Sequence, residues 1–175
     1  MTVSISPYLQ HLLDTRPGLW GCKDAQSNYI YVNRAFSVIA GLQHNGEIAG
    51  LADSDLPCNT EESARLFRAQ DGEVIRKGQA LRILDIHGYP DATLRYFITT
   101  KAPLRNAGQQ IVGTIFHCRE LNSVELIKLG TLLNQTAYSS EVAAWLASGS
   151  SHTINHPDRR STLSPRALSI ILRED

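Results

Sequence analysis

Hydrophobic and polar positions alternate along this chain in two different rhythms, and the switches between them mark out the elements. Leu9, Leu12 and Leu13 in YLQHLLD recur at helical spacing until Pro17 and Gly18 end the run. Two short strand-like runs follow, LWGCKD (19–24) and YIYVN (29–33), joined by Ala25-Gln26-Ser27-Asn28 as a hairpin. Asn33 suits a helix N-cap, and Ala35, Phe36, Val38, Ile39 and Leu42 form the apolar stripe of the helix it opens. Ala52 to Pro57 is turn-rich, with Asp53 and Asp55 able to cap local N–H groups. Thr60, Glu61 and Glu62 start a helix whose apolar side runs through Leu66, Phe67, Val74 and Ile75 to Gly78.

Three long strands are predicted next, over 79–87, 93–104 and 110–121, with turns at Tyr89-Pro90-Asp91 and Asn106-Ala107-Gly108. The last carries apolar or small residues on both alternating sets: Ile111, Gly113 and Ile115, against Val112, Thr114, Phe116 and Cys118. A strand greasy on both faces belongs in the middle of a covered sheet. One face packs on the helices, and the other needs a cover, either the N-terminal helix or a second subunit.

After Asn122 the rhythm is helical again, through Val124, Leu126, Ile127, Leu129, Leu132 and Leu133 to Val142, Trp145 and Leu146. The polar stretch 148–162 reads as a linker. In LSPRALSIILRED (163–175), Ser164 as N-cap and Pro165 at the first helical position predict a helix. Such a helix is expected to have nowhere to bury Leu168, Ile171 and Leu172 unless something is missing or a partner supplies the surface. The organisation expected is therefore an N-terminal helix (1–16), a central domain (17–122), a helical connector (123–147), a linker (148–162) and an incomplete C-terminal unit (163–175).

Composition removes several function classes. The 175 residues are 42% hydrophobic, enough for a real core. Seventeen basic and seventeen acidic side chains balance to zero, and residues 1–122 carry twelve of each, so there is no basic grip for nucleic acid. No apolar run approaches membrane-spanning length, and the N-terminus lacks a basic leader. Three widely spaced cysteines without a CxxC pair argue against a disulfide scaffold and for a cytoplasmic home.

The order strand, strand, short helices, three-stranded meander resembles a PAS domain over about residues 8–121. LWGCKDAQSNYIYVNRAFSVIAGL leads from paired strands through Asn33 into an amphipathic helix as PAS sequences do. GLADSDLP is similar to the segment after that helix, and KAPLRNAGQQIVGTIFHCREL resembles the final PAS hairpin. The tail LSPRALSIILRED resembles the opening of a LuxR-type helix-turn-helix, with Ala167 where that family usually has Glu. The resemblance implies an α+β fold: a five-stranded antiparallel sheet with helices on one face and flanking N- and C-terminal helices. It further implies the sensory half of a transcription regulator, a homodimer answering an unknown small-molecule or protein signal. DNA would be reached only through a missing C-terminal domain, since no recognition helix is present.

Candidate chemistry is sparse. The flavin-photosensor motif Asn-Cys-Arg-Phe-Leu is absent, and Cys58 follows Leu56-Pro57 in a turn. For haem, the imidazoles to consider are His11, His44, His87 and His117. His152 and His156 are four apart but lie in the linker, which argues against a metal pair. No nucleophile elbow, P-loop or HExxH occurs, so neither catalytic nor metal residues are assigned, and the cofactor is left open. Asp53 with Asp55 and Asp85 with His87 are the nearest acid clusters, and the last pair supports the rival reading of a small ligand-binding enzyme. A ligand-free dimerisation module is the third. Resemblance and strand alternation together select Trp20, Cys22, Phe36, Ile39, Tyr96, Ile98, Ile115 and His117 as lining a small-molecule pocket. Cover for the apolar stripes of 1–16 and 123–147 would come from a dimer partner.

Overall fold

The strand predicted to be central is central. In the computed structural model, which describes residues 4–59, 61–88, 94–135 and 167–172, strand β5 (Ile111–Glu120) lies between β1 (Leu19–Asp24) and β4 (Leu94–Arg105). With β2 (Tyr29–Val32) and β3 (Leu81–Gly88) they form a five-stranded antiparallel sheet ordered β2-β1-β5-β4-β3. Between β2 and β3 the chain forms helix α2 (Arg34–Ile39), two short 3-10 turns (Asn45–Ile48 and Asp53–Asp55) and the long helix α3 (Glu61–Lys77).

These intervening elements cover one face. Tyr29, Val32 and Phe116 from the sheet pack there with Ala40, Ile48 and Leu56. The opposite face is covered by α1 (Pro7–Thr15), which sets Leu13 against Cys22, with Leu9, Trp20, Leu104 and Ile115 around them. Ser6 caps α1 by accepting from Leu9 N, and Pro7 stands at its first position. The N-terminal helix, rather than a second subunit, thus supplies cover over β1 and β5.

Asn33 fixes the angle between these layers. Its buried Oδ1 accepts from Trp20 N and Phe36 N, both at 3.1 Å, which caps α2 and ties it to β1. Its Nδ2 donates to Leu13 O and Gly18 O at 3.3 and 3.0 Å, which anchors the end of α1. One amide side chain therefore joins three elements.

At the C-terminal end, α4 (Ser123–Gln135) leaves the sheet through a reciprocal cap: Glu125 N donates to Asn122 Oδ1, and Asn122 N donates to Glu125 Oε2. The predicted connector residues 136–147, including Trp145 and Leu146, lie outside the described residues, as do His152 and His156. One expectation is corrected. Residues 167–172, read from sequence as part of a helix, form a sixth strand, β6 (Ala167–Leu172), antiparallel to β3. The physical reason is that Leu168, Ile170 and Leu172 also alternate at strand period, and the free edge of β3 accepts a partner.

Gly21 allows a close approach between β1 and the Phe116 side chain. A Cβ there would run into the Phe116 ring and lie 2.9 Å from Tyr31 O. Gly21→Ala is expected to destabilise the domain by about 1–3 kcal/mol through overpacking, read as a lower urea midpoint at unchanged m-value.

Candidate functional site

Between the sheet and the α2–α3 layer lies a cavity of about 70 Å³. That is several times the volume one water requires. Its apolar walls come from Leu19, Phe36, Ile39, Phe67, Phe97 and Phe116, and its polar lining includes Lys23, Asp53, Asp85, Thr99 and Lys101. Tyr29, Cys58, Asn59 and Cys118 complete it.

Strand alternation explains this mixture. On β4, Phe97, Thr99 and Lys101 share the cavity face, and on β1 Lys23 points the same way as Leu19. Burial puts both ammonium groups out of water, at 2% and 4% exposure for Lys23 and Lys101. A buried cation survives only if it is paired and hydrogen-bonded. Asp71, fully buried on α3, provides the pairing: Oδ1 accepts from Lys101 Nζ at 2.7 Å and Oδ2 from Lys23 Nζ at 3.3 Å. Thr114 Oγ1 adds a contact to Asp71 Oδ1 at 3.4 Å.

Asp53 completes the network from the second 3-10 turn. Its Oδ2 pairs with Lys23 Nζ and its Oδ1 accepts from Tyr29 OH at 2.6 Å. Lys101 also donates to Phe67 O at 3.1 Å. Lys23 Nζ stands 4.5 Å from the Tyr29 ring centroid, and Lys101 Nζ 5.4 Å from that of Phe67. Asp85 accepts from Gln70 Nε2 at 3.0 Å.

The charges respond accordingly. Burial pushes the Asp71 carboxyl up, but Lys101 and Lys23 outweigh it and hold the group below the ordinary carboxylate value. Burial pulls Lys101 down, and Asp71 with Asp53 outweighs it, leaving the ammonium above its ordinary value. The Tyr29 hydroxyl is raised well above normal by burial and then by Asp53. Burial pushes the thiols of Cys58 and Cys118 up to about 11 and about 12. Both therefore stay protonated at neutral pH and are poor nucleophiles. This arrangement can bind a small polar molecule by exchanging donors and acceptors, while its thiols are unsuited to covalent catalysis.

Of the residues selected from sequence, Phe36 and Ile39 line the cavity. The other six stand on the opposite face. Trp20, Cys22 and Ile115 pack with α1, and His117 stacks on Trp20 at 4.1 Å between ring centroids. Tyr96 and Ile98 alternate with the cavity-facing Phe97 and Thr99. Both faces of the sheet are covered, so hydrophobicity did not discriminate between the phases, and the lysines made the true inner phase look like an outer one. His11 and His44 are exposed, and neither they nor His117 line the cavity. Lys23, Tyr29, Asp71 and Lys101 were missed; Asp53, read as a turn cap, is an ion-pair partner. The available signal was an Asp in the middle of a helix beside two strand lysines at matching phase.

Among the described residues, no group of three or more His, Cys, Asp or Glu is placed to hold a metal, and no helix is long and apolar enough to cross a membrane.

Comparison with known proteins assigns this architecture. The family model of the PAS fold matches residues 13–125. The chain belongs to the PAS family. Among solved structures it is similar to Vibrio cholerae VqmA, a LuxR-type receptor solved as a dimer without target DNA: 36% identity, TM-score 0.62, covering 69% of this chain and 53% of that one. The VqmA–ligand–DNA complex matches at 33% identity and TM-score 0.63, over 75% of this chain and 58% of that one. A phage VqmA–DPO complex matches at 30% identity and TM-score 0.59, over 79% and 71%. The chain spans between half and two thirds of the first of these relatives. No curated protein matches it.

Asp71→Asn removes the one carboxylate shared by both lysines and is expected to cost about 3–5 kcal/mol. Because the folded carboxyl lies below its unfolded value, the stability it gives is present above that value and lost as pH falls through the folded one. The gap between wild type and Asp71→Asn in urea melts should therefore narrow as pH drops below about 4. Lys101 has the opposite sign: its stabilisation is complete below the ordinary ammonium value and is lost as pH rises through the raised one.

Proposed function

We propose that this chain is the sensory part of a LuxR-type transcription regulator, and that a small polar molecule occupies the cavity over Lys23 and Lys101. The observation carrying this is the buried Lys23–Asp53–Asp71–Lys101 network at the wall of an apolar cavity. A ligand with one acceptor and one donor can take over contacts the network now makes internally, which limits the cost of its own desolvation. The network joins β1, β4, α3 and the Asp53–Asp55 turn, so exchanging partners there repositions α3 against the sheet. β5 carries the change outward: Leu121 N donates to Tyr96 O at 2.8 Å, and Arg119 pairs with Glu125 of α4 at 2.6 Å.

The output is a homodimer in which α1 and α4 contact a second copy, controlling DNA binding by a domain that follows in the full regulator. The exposed Tyr8, Val124 and Ile127 support the dimer surface. The place of action is the cytoplasm. A ligand-free dimerisation module is the second reading, favoured by the internal satisfaction of the network.

The DPO found with phage VqmA is the first ligand to test. Calorimetry on the full chain should give saturable binding, and Ile39→Trp, at the half-buried cavity wall, should weaken it at least tenfold. Ala107→Ser, in the exposed turn between β4 and β5, should leave it unchanged. Native mass spectrometry of gently purified protein that shows neither DPO binding nor added mass supports the ligand-free module instead. For the dimer, Ile127→Glu should shift the sedimentation profile to monomer at micromolar concentration while the cavity variant does not.

A further inference from the structure

β3 would be the edge of the sheet, with a row of unpaired backbone groups, were it not covered by β6. The pairing is continuous, from Arg82↔Leu172 through Asp85↔Ser169 to His87↔Ala167, so every β6 residue has a partner. On β3, Ile83, Leu84 and Ile86 are at most 1% exposed. The same stretch of sequence carries a complete helix-start signal, Ser164-Pro165, followed by Leu168, Ile171 and Leu172 at helical spacing. Leu168, Ile170 and Leu172 fit the strand period equally well. A short apolar segment that fits both periods takes the form for which a surface is available.

We infer that the β3 edge is a strand-docking site whose occupant is this chain's own 167–172, and that this segment exchanges between docked strand and undocked helix. The two forms exclude each other, because a residue paired to β3 cannot also make helical backbone bonds. Docking therefore withholds the helix, and release exposes an edge able to accept another extended apolar strand.

Hydrogen exchange on the full chain, read by mass spectrometry and NMR, tests this in both directions. Ile170→Ala/Ile171→Ala favours helix, and Ala167→Thr/Ser169→Thr favours strand. In the wild type, amides of 167–172 should be protected but exchange faster than those of the β4–β5 hairpin. The alanine pair should lower protection at least tenfold at both 167–172 and 82–87, with helical chemical shifts appearing in 165–173. The threonine pair should raise protection, and the β4–β5 hairpin should be unmoved by either. Free-chain exchange at 167–172 in the wild type overturns the docking site. Exchange that both pairs leave unchanged, or release without helical shifts, overturns the two-state segment. Arg82→Cys/Leu172→Cys should close a disulfide within one chain; a crosslink between two chains overturns the assignment of the occupant.

Discussion

The carboxylate of Asp71 is the constraint around which this PAS domain is arranged. It is fully buried, and it meets two ammonium groups from strands separated by β5. Each buried ion loses several kcal/mol of hydration, so the network is tolerable only with every partner in place. That requirement fixes α3 across the sheet, sets the side-chain phase of β1 and β4, and draws the Asp53 turn down onto Lys23. The polar wall follows from the same geometry, because side chains held by ion pairs cannot collapse into the neighbouring space as aliphatic ones would.

Such a network suits binding better than turnover. The cavity thiols are held protonated by burial, and the lysines are engaged with carboxylates rather than available as bases. On the proposed reading, a bound molecule replaces one internal contact by another of the same kind and so biases the position of α3. β5 lies beside both charged strands and runs directly into the capped start of α4, which gives any such shift a rigid way out of the core.

The fold was legible because its signals were redundant. Asn33 announced a helix cap, β5 announced a covered central strand, and Pro17-Gly18 announced the end of α1. Each prediction relied on local chemistry or on a period that only one structure satisfies. The cavity was less legible because its signal is a phase, and a phase is visible only when one side of a strand is polar. Here α1 covers Trp20, Cys22 and Ile115 on the far face, and these with Ile98 are as apolar as the inner set, while Lys23, Thr99 and Lys101 look solvent-facing. The side chains at those positions can be inward only because Asp71 is there, and that is a long-range fact absent from any one strand. Phe36 and Ile39 sit three apart on α2 and do face the cavity, whereas Val38 of the same predicted stripe is 63% exposed and Ser37 is buried, so the phase of this short helix was legible only in part.

The C-terminal segment presents the complementary difficulty. At Asn33 one reading satisfied all the local rules; at 167–172 two readings do, and the choice is made by a surface elsewhere in the chain, the edge of β3. β3 is also the strand that brings Asp85 to the cavity, opposite Ser169 in the register and Phe97 on the inner side. The strand that holds the tail is therefore separated from the cavity by no intervening element. A sheet is stiff along its strands but admits twist between them, so a change that rotates β3 against β4 alters the cavity wall and the docking edge together.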